Sequence, residues 1–117
     1  MTLSERIAND LEIKFKDFHG NIGMVCNSAG LCMATNDAIV KAGGAPANFS
    51  DLGGTAIHEQ IDSLFHIVNK DEAVRVIFIN CYGGITNIKK LIATLRMGLV
   101  NGIITKPVII RAKGLES

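Results

Sequence analysis

The stretch VRVIFINCYGGITN, residues 74–87, decides the fold because two hydrophobic periodicities meet in it. Residues 74–80 are apolar nearly throughout, which is typical of a central strand covered on both faces of a parallel sheet. The paired glycines then open a helix whose apolar residues recur every three to four positions. That predicted stripe consists of Ile85, Ile88, Ile92, Leu95 and Leu99. A buried strand that turns straight into an amphipathic helix indicates a β–α–β unit.

The same alternation of strands and helices continues along the rest of the chain. The patterns predict a short helix at 2–9, an edge strand at 11–15, strands at 22–26, 47–51 and 108–110, a helix ending near Lys41, and a helix with its apolar stripe over 57–68. This order predicts one α/β domain with a mainly parallel sheet and helices on both faces. In such a sheet every strand-to-helix turn lies at the same, carboxyl edge.

Composition narrows the class of function. The 117 residues are 48% hydrophobic and 5% aromatic, and 12 basic residues against 11 acidic ones give a formal net charge of +1. Without a basic stripe or stacking aromatics, nucleic acid is a poor partner, and no apolar run approaches the roughly 20 residues that span a bilayer. Cys26, Cys32 and Cys81 lack the spacing of a zinc site or a disulfide framework. We therefore predict reduced, packing cysteines and no metal site.

Three glycine-containing turns follow predicted strands: NSAG (27–30), DLGGT (51–55) and YGGIT (82–86). Glycine lets the backbone approach a ligand closely, and the free amides of a first helical turn carry the positive end of the helix dipole. Such amides can hold a carboxylate or a phosphate without any charged side chain. Because tight turns in any doubly wound domain use small residues, the prediction of an anion site depends on all three turns sharing one edge.

Other kinds of site have less support in the sequence. Neither G-x-G-x-x-G with a following acid nor G-x-x-x-x-G-K-[ST] occurs, so classical dinucleotide and P-loop sites are not predicted. Asp51 stands alone at the predicted edge, and we expect it to hydrogen-bond within its own turn. The three histidines, including His58 in a first helical turn, are expected at solvent or at an interface. Lys89, Lys90 and Arg96 are expected on a solvated helix face.

Four segments, in this order and spacing, resemble a known family. They are GNIGMVCNSAGLCMAT (20–35), GGAPANFSDLGGT (43–55), VIFINCYGGITN (76–87) and PVIIR (107–111). They resemble the C-terminal domain of the β subunit of succinyl-CoA synthetase, also called succinate–CoA ligase. The resemblance covers about residues 10–111, and related acid–CoA ligases such as malate–CoA ligase are similar.

The resemblance implies a flavodoxin-like α/β domain that packs against an α subunit in a heterodimer. In that family an acid, CoA and ATP or GTP give acyl-CoA, the nucleoside diphosphate and phosphate, through an acyl phosphate and a phosphohistidine of the α subunit. The implied partners are the α subunit and succinate or a similar dicarboxylate, with no nucleic acid and no membrane. The implied compartment is the mitochondrial matrix, or the cytoplasm in a bacterium.

By position, the resemblance also implies which residues meet the substrates, and it implies no catalytic residue in this chain. The acid-binding residues would be Asn27, Gly84, Ile85 and Thr86. The helix N-terminus facing the phosphohistidine would be formed by Gly53, Gly54 and Thr55. The sequence departs from the family at Ser28 and Thr55, where glycine is usual, and at Thr86, where valine is common. Acid preference or phosphate affinity is therefore expected to differ.

The resemblance places other parts of the enzyme outside these residues. Mg²⁺ and ATP or GTP would bind in an ATP-grasp portion preceding residue 1, and CoA would bind on the α subunit. The family's domain normally continues past PVIIR through another helix and strand. We therefore expect residues 1–117 to form a single ligase-CoA-type domain, truncated at its C-terminus, that is either a fragment of a larger β subunit or a reduced paralogue and is inactive alone.

Two alternatives stay open from the sequence. A stand-alone anion-binding or interaction module could keep this fold and these turns without performing chemistry. A flavodoxin-type cofactor carrier would need a hydroxyl-rich phosphate loop after the first strand, and NSAGLC is a poor example of one.

Overall fold

Helices and strands alternate through the chain, as the sequence predicts. The computed structural model describes residues 1–53 and 56–115. Within those ranges it contains four helices and five strands. They are α1 (Leu3–Asp10), β1 (Lys14–Asp17), β2 (Ile22–Cys26), α2 (Ala29–Lys41), β3 (Asn48–Asp51), α3 (His58–Lys70), β4 (Val76–Gly84), α4 (Ile85–Val100) and β5 (Val108–Leu115).

The central sheet is parallel, with strand order β2–β4–β5. Strand β1 pairs only with β3, and that pair is antiparallel. The predicted edge position of the first strand is therefore confirmed for the described residues. Its predicted start at residue 11 is wrong, because the amides of Leu11 and Ile13 both donate to the carbonyl of Ala8 at the end of α1. Glu12 then takes a left-handed conformation, with φ of 60°, before the strand begins.

Side chains join β3 to the central sheet. The Asn48 amide accepts from the backbone N–H of Met24 at 3.0 Å and donates to its carbonyl at 2.9 Å. The Ser50 hydroxyl donates to the same carbonyl at 2.8 Å and accepts from the Cys26 amide at 3.3 Å. Both side chains are buried. Their hydrogen bonds satisfy backbone N–H and C=O groups of β2 that a directly paired strand would otherwise satisfy. The two sheets thus form one continuous layer.

Apolar residues cover both faces of this layer. On one face, Cys32 of α2 packs with Met24 and Cys26 of β2, and Phe78 of β4 packs against them. The opposite face carries the larger core, in which α1, α3 and α4 pack on the sheet. This arrangement confirms a flavodoxin-like α/β fold with helices on both faces. The three cysteines are buried and unpaired, as predicted.

The structure corrects two boundaries and one helical face. Strand β4 continues through residues 82–84, which the sequence assigns to a turn, because these residues pair with residues 113–115 of a longer β5. In α4, Ile92 and Leu99 are exposed, so the predicted stripe is wrong at these positions. The helix instead turns Ile88, Leu91 and Leu95 toward the core.

A capping arrangement fixes α1 to the edge strand. The Glu5 carboxylate accepts from the backbone N–H of Asp17 at 2.9 Å and from that of Thr2 at 2.8 Å. The Thr2 hydroxyl in turn accepts from the Glu5 amide at 3.1 Å, which completes a capping box. These backbone donors, that of Asp17 first, lower the pKa of Glu5 from an ordinary value of 4.5 to about 2.

Glu5 predicts a specific loss of stability in acid. Because its pKa is lower in the folded chain, the carboxylate stabilises the fold above about pH 4.5, and this contribution is lost as the pH falls toward 2. Between pH 5 and about pH 2, we expect the urea concentration at the unfolding midpoint to fall less steeply in Glu5→Gln than in the unmodified protein. An unchanged decline in the variant, followed by circular dichroism, would show that other carboxylates control acid unfolding.

Candidate functional site

The three predicted turns meet at one edge of the sheet. Strands β2 and β4 are parallel, so the chain leaves both of them in the same direction. At the end of β3, the Leu52 amide donates to the carbonyl of Cys26 at 3.0 Å, which brings the second turn beside the first. The prediction that these turns share the carboxyl edge is therefore confirmed.

Asn27 connects the first and third turns directly. Its side-chain Nδ2 donates to the carbonyl of Tyr82 at 2.8 Å, and its Oδ1 accepts from the Tyr82 amide at 3.1 Å. This double contact extends the pairing of β2 with β4 by one residue beyond the ladder. Asn27 consequently aligns the backbone of Tyr82 and the two glycines that follow it, and one of its two Nδ2 protons remains for a ligand.

A small recess lies where the turns converge. Its volume is about 10 Å³, about the space that one water molecule needs. The lining residues are Asn27, Leu52, Gly53, Ala56, Ile61, Asn87 and Leu91. The recess alone is too small for a dicarboxylate, so an acid at this edge would lie over it and remain open to solvent on its outer side.

The amino end of α4, after the third turn, has free space beside it. Gly83 has a φ of 142°, which favours glycine, and Gly84 is the extended N-cap residue with φ of −64° and ψ of 149°. No side chain of the described residues caps this helix. A Cβ atom added to either glycine would meet no atom within 4 Å, so the space beside them is free. Amides of a first helical turn have no intrahelical acceptor and can bind an anion.

The predicted acid-binding residues divide between the amino end of α4 and Asn27. Gly84 ends β4, while Ile85 and Thr86 are the first two residues of α4. Thr86 is exposed, so its hydroxyl is accessible at the edge, and only the backbone of Ile85 is described. Gly84, Ile85 and Thr86 are consecutive and form one backbone segment. Asn27, from the first turn, holds the strand that precedes this segment.

At the second turn, the helix begins later than predicted. Helix α3 begins at His58, so the predicted helix start at Gly53 and Gly54 is wrong. Gly53 lies in the loop before the helix with φ of 74°, and its amide donates to the Asp51 carboxylate at 2.8 Å. That bond confirms the predicted turn role of Asp51. Gly54 and Thr55, which complete this predicted set, lie outside the described residues.

At the first turn, a side-chain cap already occupies one of the amides that an anion could use. Ser28, which stands where the resembled family has glycine, is the N-cap of α2, and its hydroxyl accepts from the Leu31 amide at 3.3 Å. One of the helix's free donors is therefore satisfied internally. At α3, the Gln60 side-chain oxygen accepts from the amide of the N-cap residue Ile57 at 2.9 Å, whereas α4 has no side-chain cap within the described residues. The free donors of the edge thus concentrate at the amino end of α4.

Two basic side chains near α3 were not predicted as part of this edge. The Lys90 ammonium donates to the carbonyl of Ala56 at 3.4 Å, so it lies against the loop that enters α3. Nδ1 of His58 lies 2.8 Å from the hydroxyl of Thr94, which is fully buried and donates to the Lys90 carbonyl at 2.9 Å. Because that bond uses the single hydroxyl proton, His58 donates through Nδ1. The spacing of Lys90 and Thr94, one helical turn apart, is the sequence signal for this arrangement.

The described ranges contain neither a metal-binding cluster nor a membrane-spanning helix. Residues 1–53 and 56–115 contain no cluster of three or more histidine, cysteine or carboxylate groups that could hold a metal ion. None of the helices in those ranges has the length and apolar character needed to cross a membrane. The groups that this edge presents are backbone amides, hydroxyls, the Lys90 ammonium and the His58 imidazole.

A central parallel sheet with helices on both faces, and helix N-termini at its carboxyl edge, defines a flavodoxin-like domain. A family profile described as CoA-ligase matches residues 25–116, and the chain belongs to this family. The match includes the strand-to-helix turns described above.

Curated relatives carry the same domain within longer chains. The chain is 44% identical over 102 residues to the succinate–CoA ligase [ADP-forming] subunit beta of Hydrogenobaculum sp., covering 87% of this chain and 27% of the relative. It is 38% identical over 110 residues to the ADP-forming subunit beta 2 of Archaeoglobus fulgidus, covering 94% and 28%. It is also 38% identical over 107 residues to the GDP-forming subunit beta of Thermus thermophilus, covering 92% and 28%. The chain thus spans less than a third of the length of these relatives.

Solved structures support the fold. The chain superposes on ATP citrate lyase from Methanothrix soehngenii, solved in complex with citrate and coenzyme A, with a TM-score of 0.75 and 12% sequence identity. That superposition covers 97% of this chain and 36% of the lyase chain. A Methanosaeta concilii ATP citrate lyase gives a TM-score of 0.67 at 14% identity, over 97% and 34% of the two chains. At such identities the likeness concerns the fold alone.

Proposed function

We propose that this chain is the C-terminal domain of the β subunit of a nucleotide-dependent succinate–CoA ligase. The complete enzyme would convert succinate, CoA and ATP or GTP into succinyl-CoA, the nucleoside diphosphate and phosphate. The observation that carries the proposal is the uncapped amino end of α4, aligned by Asn27 at the edge where two other turns converge. The relatives' naming as β subunits supports an α subunit as the partner.

In this proposal the acid binds through the backbone of α4. One carboxylate of succinate would accept from the amides of Ile85 and Thr86, and the open space beside Gly84 would admit it. Charge-assisted hydrogen bonds to backbone donors are stronger than neutral ones, and fixed donors need no reorganisation during the reaction. Asn27 would act mainly by holding Tyr82 and the glycines in place, with its remaining N–H proton available to the acid.

The phosphoryl group would lie at the neighbouring turn, which leads into α3. The amino end of α3, together with Gly53, Gly54 and Thr55, would face the phosphohistidine of the α subunit. Lys90 and His58 add cationic or hydrogen-bonding groups beside this loop. A carboxylate oxygen of the acid would attack the phosphorus and displace the histidine, and the thiolate of CoA would then displace phosphate from the acyl phosphate. This chain's residues bind and orient the two anions and supply no attacking group.

The remaining parts of the reaction would lie outside this chain. CoA would bind to the α subunit, and Mg²⁺ with ATP or GTP would bind to an ATP-grasp portion of a longer β subunit. The recess of about 10 Å³ leaves a bound acid open to solvent, so a partner surface would be needed to exclude water. The 117 residues alone are therefore proposed to be inactive. The bacterial and archaeal origin of the relatives favours the cytoplasm over the mitochondrial matrix.

Reconstitution tests the proposal. A β subunit containing this domain would be co-expressed with an α subunit, and nucleotide consumption would be measured with and without CoA and succinate. The proposal requires a stable complex whose nucleotide consumption depends on both. A complex that forms but shows no dependence on any dicarboxylate would contradict it and would favour a non-catalytic anion-binding module.

Thr86 provides a test of acid selectivity. Its exposed hydroxyl lies in the proposed acid site, where it can hydrogen-bond a substituent on the acid. We expect Thr86→Val to shift kcat/KM for malate relative to succinate by about 3- to 10-fold against malate, because a hydrogen bond contributes about 0.5–1.5 kcal/mol. Thr105→Val, an exposed threonine outside α4, is the matched control. An unchanged ratio in Thr86→Val would remove this hydroxyl from the acid site.

A further inference from the structure

A groove of about 660 Å³ lies between α1 and the second half of α3. Its lining includes His19, which precedes β2, and Asp71, which precedes β4. Because these strands are parallel, the groove lies at the amino edge of the sheet, opposite the carboxyl edge where the three turns converge. We call it the α1–α3 groove. It is separate from the proposed acid and phosphoryl sites and does not depend on them.

The walls of the α1–α3 groove are partly apolar and exposed. Leu3 and Ile7, one helical turn apart on α1, are 68% and 42% exposed, although both line the groove. Ile67 of α3 is only 7% exposed and lies in the same lining. Contiguous exposed apolar side chains within a concave surface are typical of an interaction site. An occupant would therefore bring its own apolar face against α1.

The polar lining of the groove is predominantly negative. It contains the carboxylates of Asp17, Asp62 and Asp71 but a single ammonium group, that of Lys70. The carboxyl end of α3 adds the negative end of a helix dipole.

Two imidazoles also border the groove. His19 lies 3.4 Å from Asp17, and His66 lies 3.6 Å from Asp62. When these imidazoles are neutral they leave the charge of both carboxylates uncompensated. Lys106 donates to the backbone carbonyl of Asp71, not to its carboxylate. The groove therefore offers an occupant a negative lining with a net charge of −2 when both histidines are neutral.

We propose that the α1–α3 groove binds a basic amphipathic helix of a partner protein. The groove follows α1, whose eight residues span about 12 Å, so it accommodates roughly two turns of a helix. An apolar stripe on the partner would cover Leu3 and Ile7, and flanking lysine or arginine side chains would meet Asp17, Asp62 and Asp71. Helix-in-groove binding of this kind obtains its affinity from the apolar anchors and its selectivity from the charges.

Two labelled peptides with identical apolar patterns test this proposal. The basic probe is LKKLLKLLKKLL and the acidic probe is LEELLELLEELL, and the protein is the 117-residue chain. We expect the basic peptide to bind at least about 10-fold more tightly by fluorescence anisotropy, with an affinity that falls as salt is added. Equal binding of the two peptides, or preference for the acidic one, would overturn the proposal.

Matched variants locate the binding. We expect the double variant Asp62→Asn and Asp71→Asn to weaken binding of the basic peptide about fivefold. Asp37→Asn, which removes an exposed carboxylate from α2, should leave the affinity unchanged. Asparagine at position 71 keeps the oxygen that accepts from the Ala73 amide, so the fold is preserved, and circular dichroism checks this. Equal weakening by the α2 variant would mean non-specific attraction and would overturn the assignment to the groove.

Discussion

Ile85→Pro in the assembled ligase is expected to raise the KM for the acid by about 10- to 100-fold while α4 stays folded. The substitution removes one backbone N–H at the first position of the helix, and a hydrogen bond to a charged group contributes about 1.5–3 kcal/mol. Proline is well tolerated at this position, because the amide has no intrahelical partner there. Gly84 is extended, with ψ of 149°, which suits the residue before a proline.

The matched control for this prediction is Ile85→Val. It shortens the same side chain but keeps the backbone donor, so its KM should stay within about threefold of the unmodified enzyme, the change expected of a smaller apolar side chain. Steady-state kinetics with succinate, combined with circular dichroism of both variants, separates the donor from the side chain. If the proline and valine variants show the same KM, the acid is not held by this amide.

Asn48→Ala is expected to lower the free energy of unfolding by about 2–3 kcal/mol. The Asn48 side chain is 2% exposed and makes both hydrogen bonds to the backbone of Met24. After the substitution Ser50 still donates to the Met24 carbonyl, but the buried Met24 amide has no acceptor. A buried donor without a partner costs about 1–3 kcal/mol.

A second asparagine provides the control for this stability prediction. Asn21 is exposed, so Asn21→Ala should change the free energy of unfolding by less than about 0.5 kcal/mol. Urea denaturation at pH 7 measures both variants. Equal stability of the two variants would mean that β2 and β3 do not depend on the side-chain bridge, and that backbone bonds at its two ends suffice.

Local patterns predicted some elements closely and others less well. Strand 22–26 is correct to the residue, and the helix predicted to end near Lys41 ends there, because a short apolar run and a glycine-rich stop mark them. The extension of β4 through residues 82–84 depends on its pairing with β5 and on Asn27, which lies 55 residues away in sequence. Contacts between distant residues leave no periodicity in either segment, so the glycines were assigned to a turn.

The sequence also predicts some features of the candidate site and not others. That the turns share one edge follows from parallel topology alone, and the structure confirms it. The start of α3 at His58 does not follow, and no local pattern shows that Gly53 takes a φ of 74° with its amide bonded to Asp51. Lys90 was assigned to a solvated face, since only the packing of α4 against α3 shows that its ammonium reaches the Ala56 carbonyl. The Ser28 cap, in contrast, is a signal that the sequence contains, because serine is a preferred N-cap residue.

The amide protons at the amino end of α4 report directly on the proposed acid site. A ¹⁵N-labelled β subunit containing this domain, bound to its α subunit, would be titrated with succinate while the signals of Ile85, Thr86 and Asn87 are followed. The proposed acid site predicts saturable downfield shifts of the proton resonances of Ile85 and Thr86, as expected for charge-assisted hydrogen bonds to a carboxylate. A complex that binds succinate while these amide signals stay unchanged would contradict it.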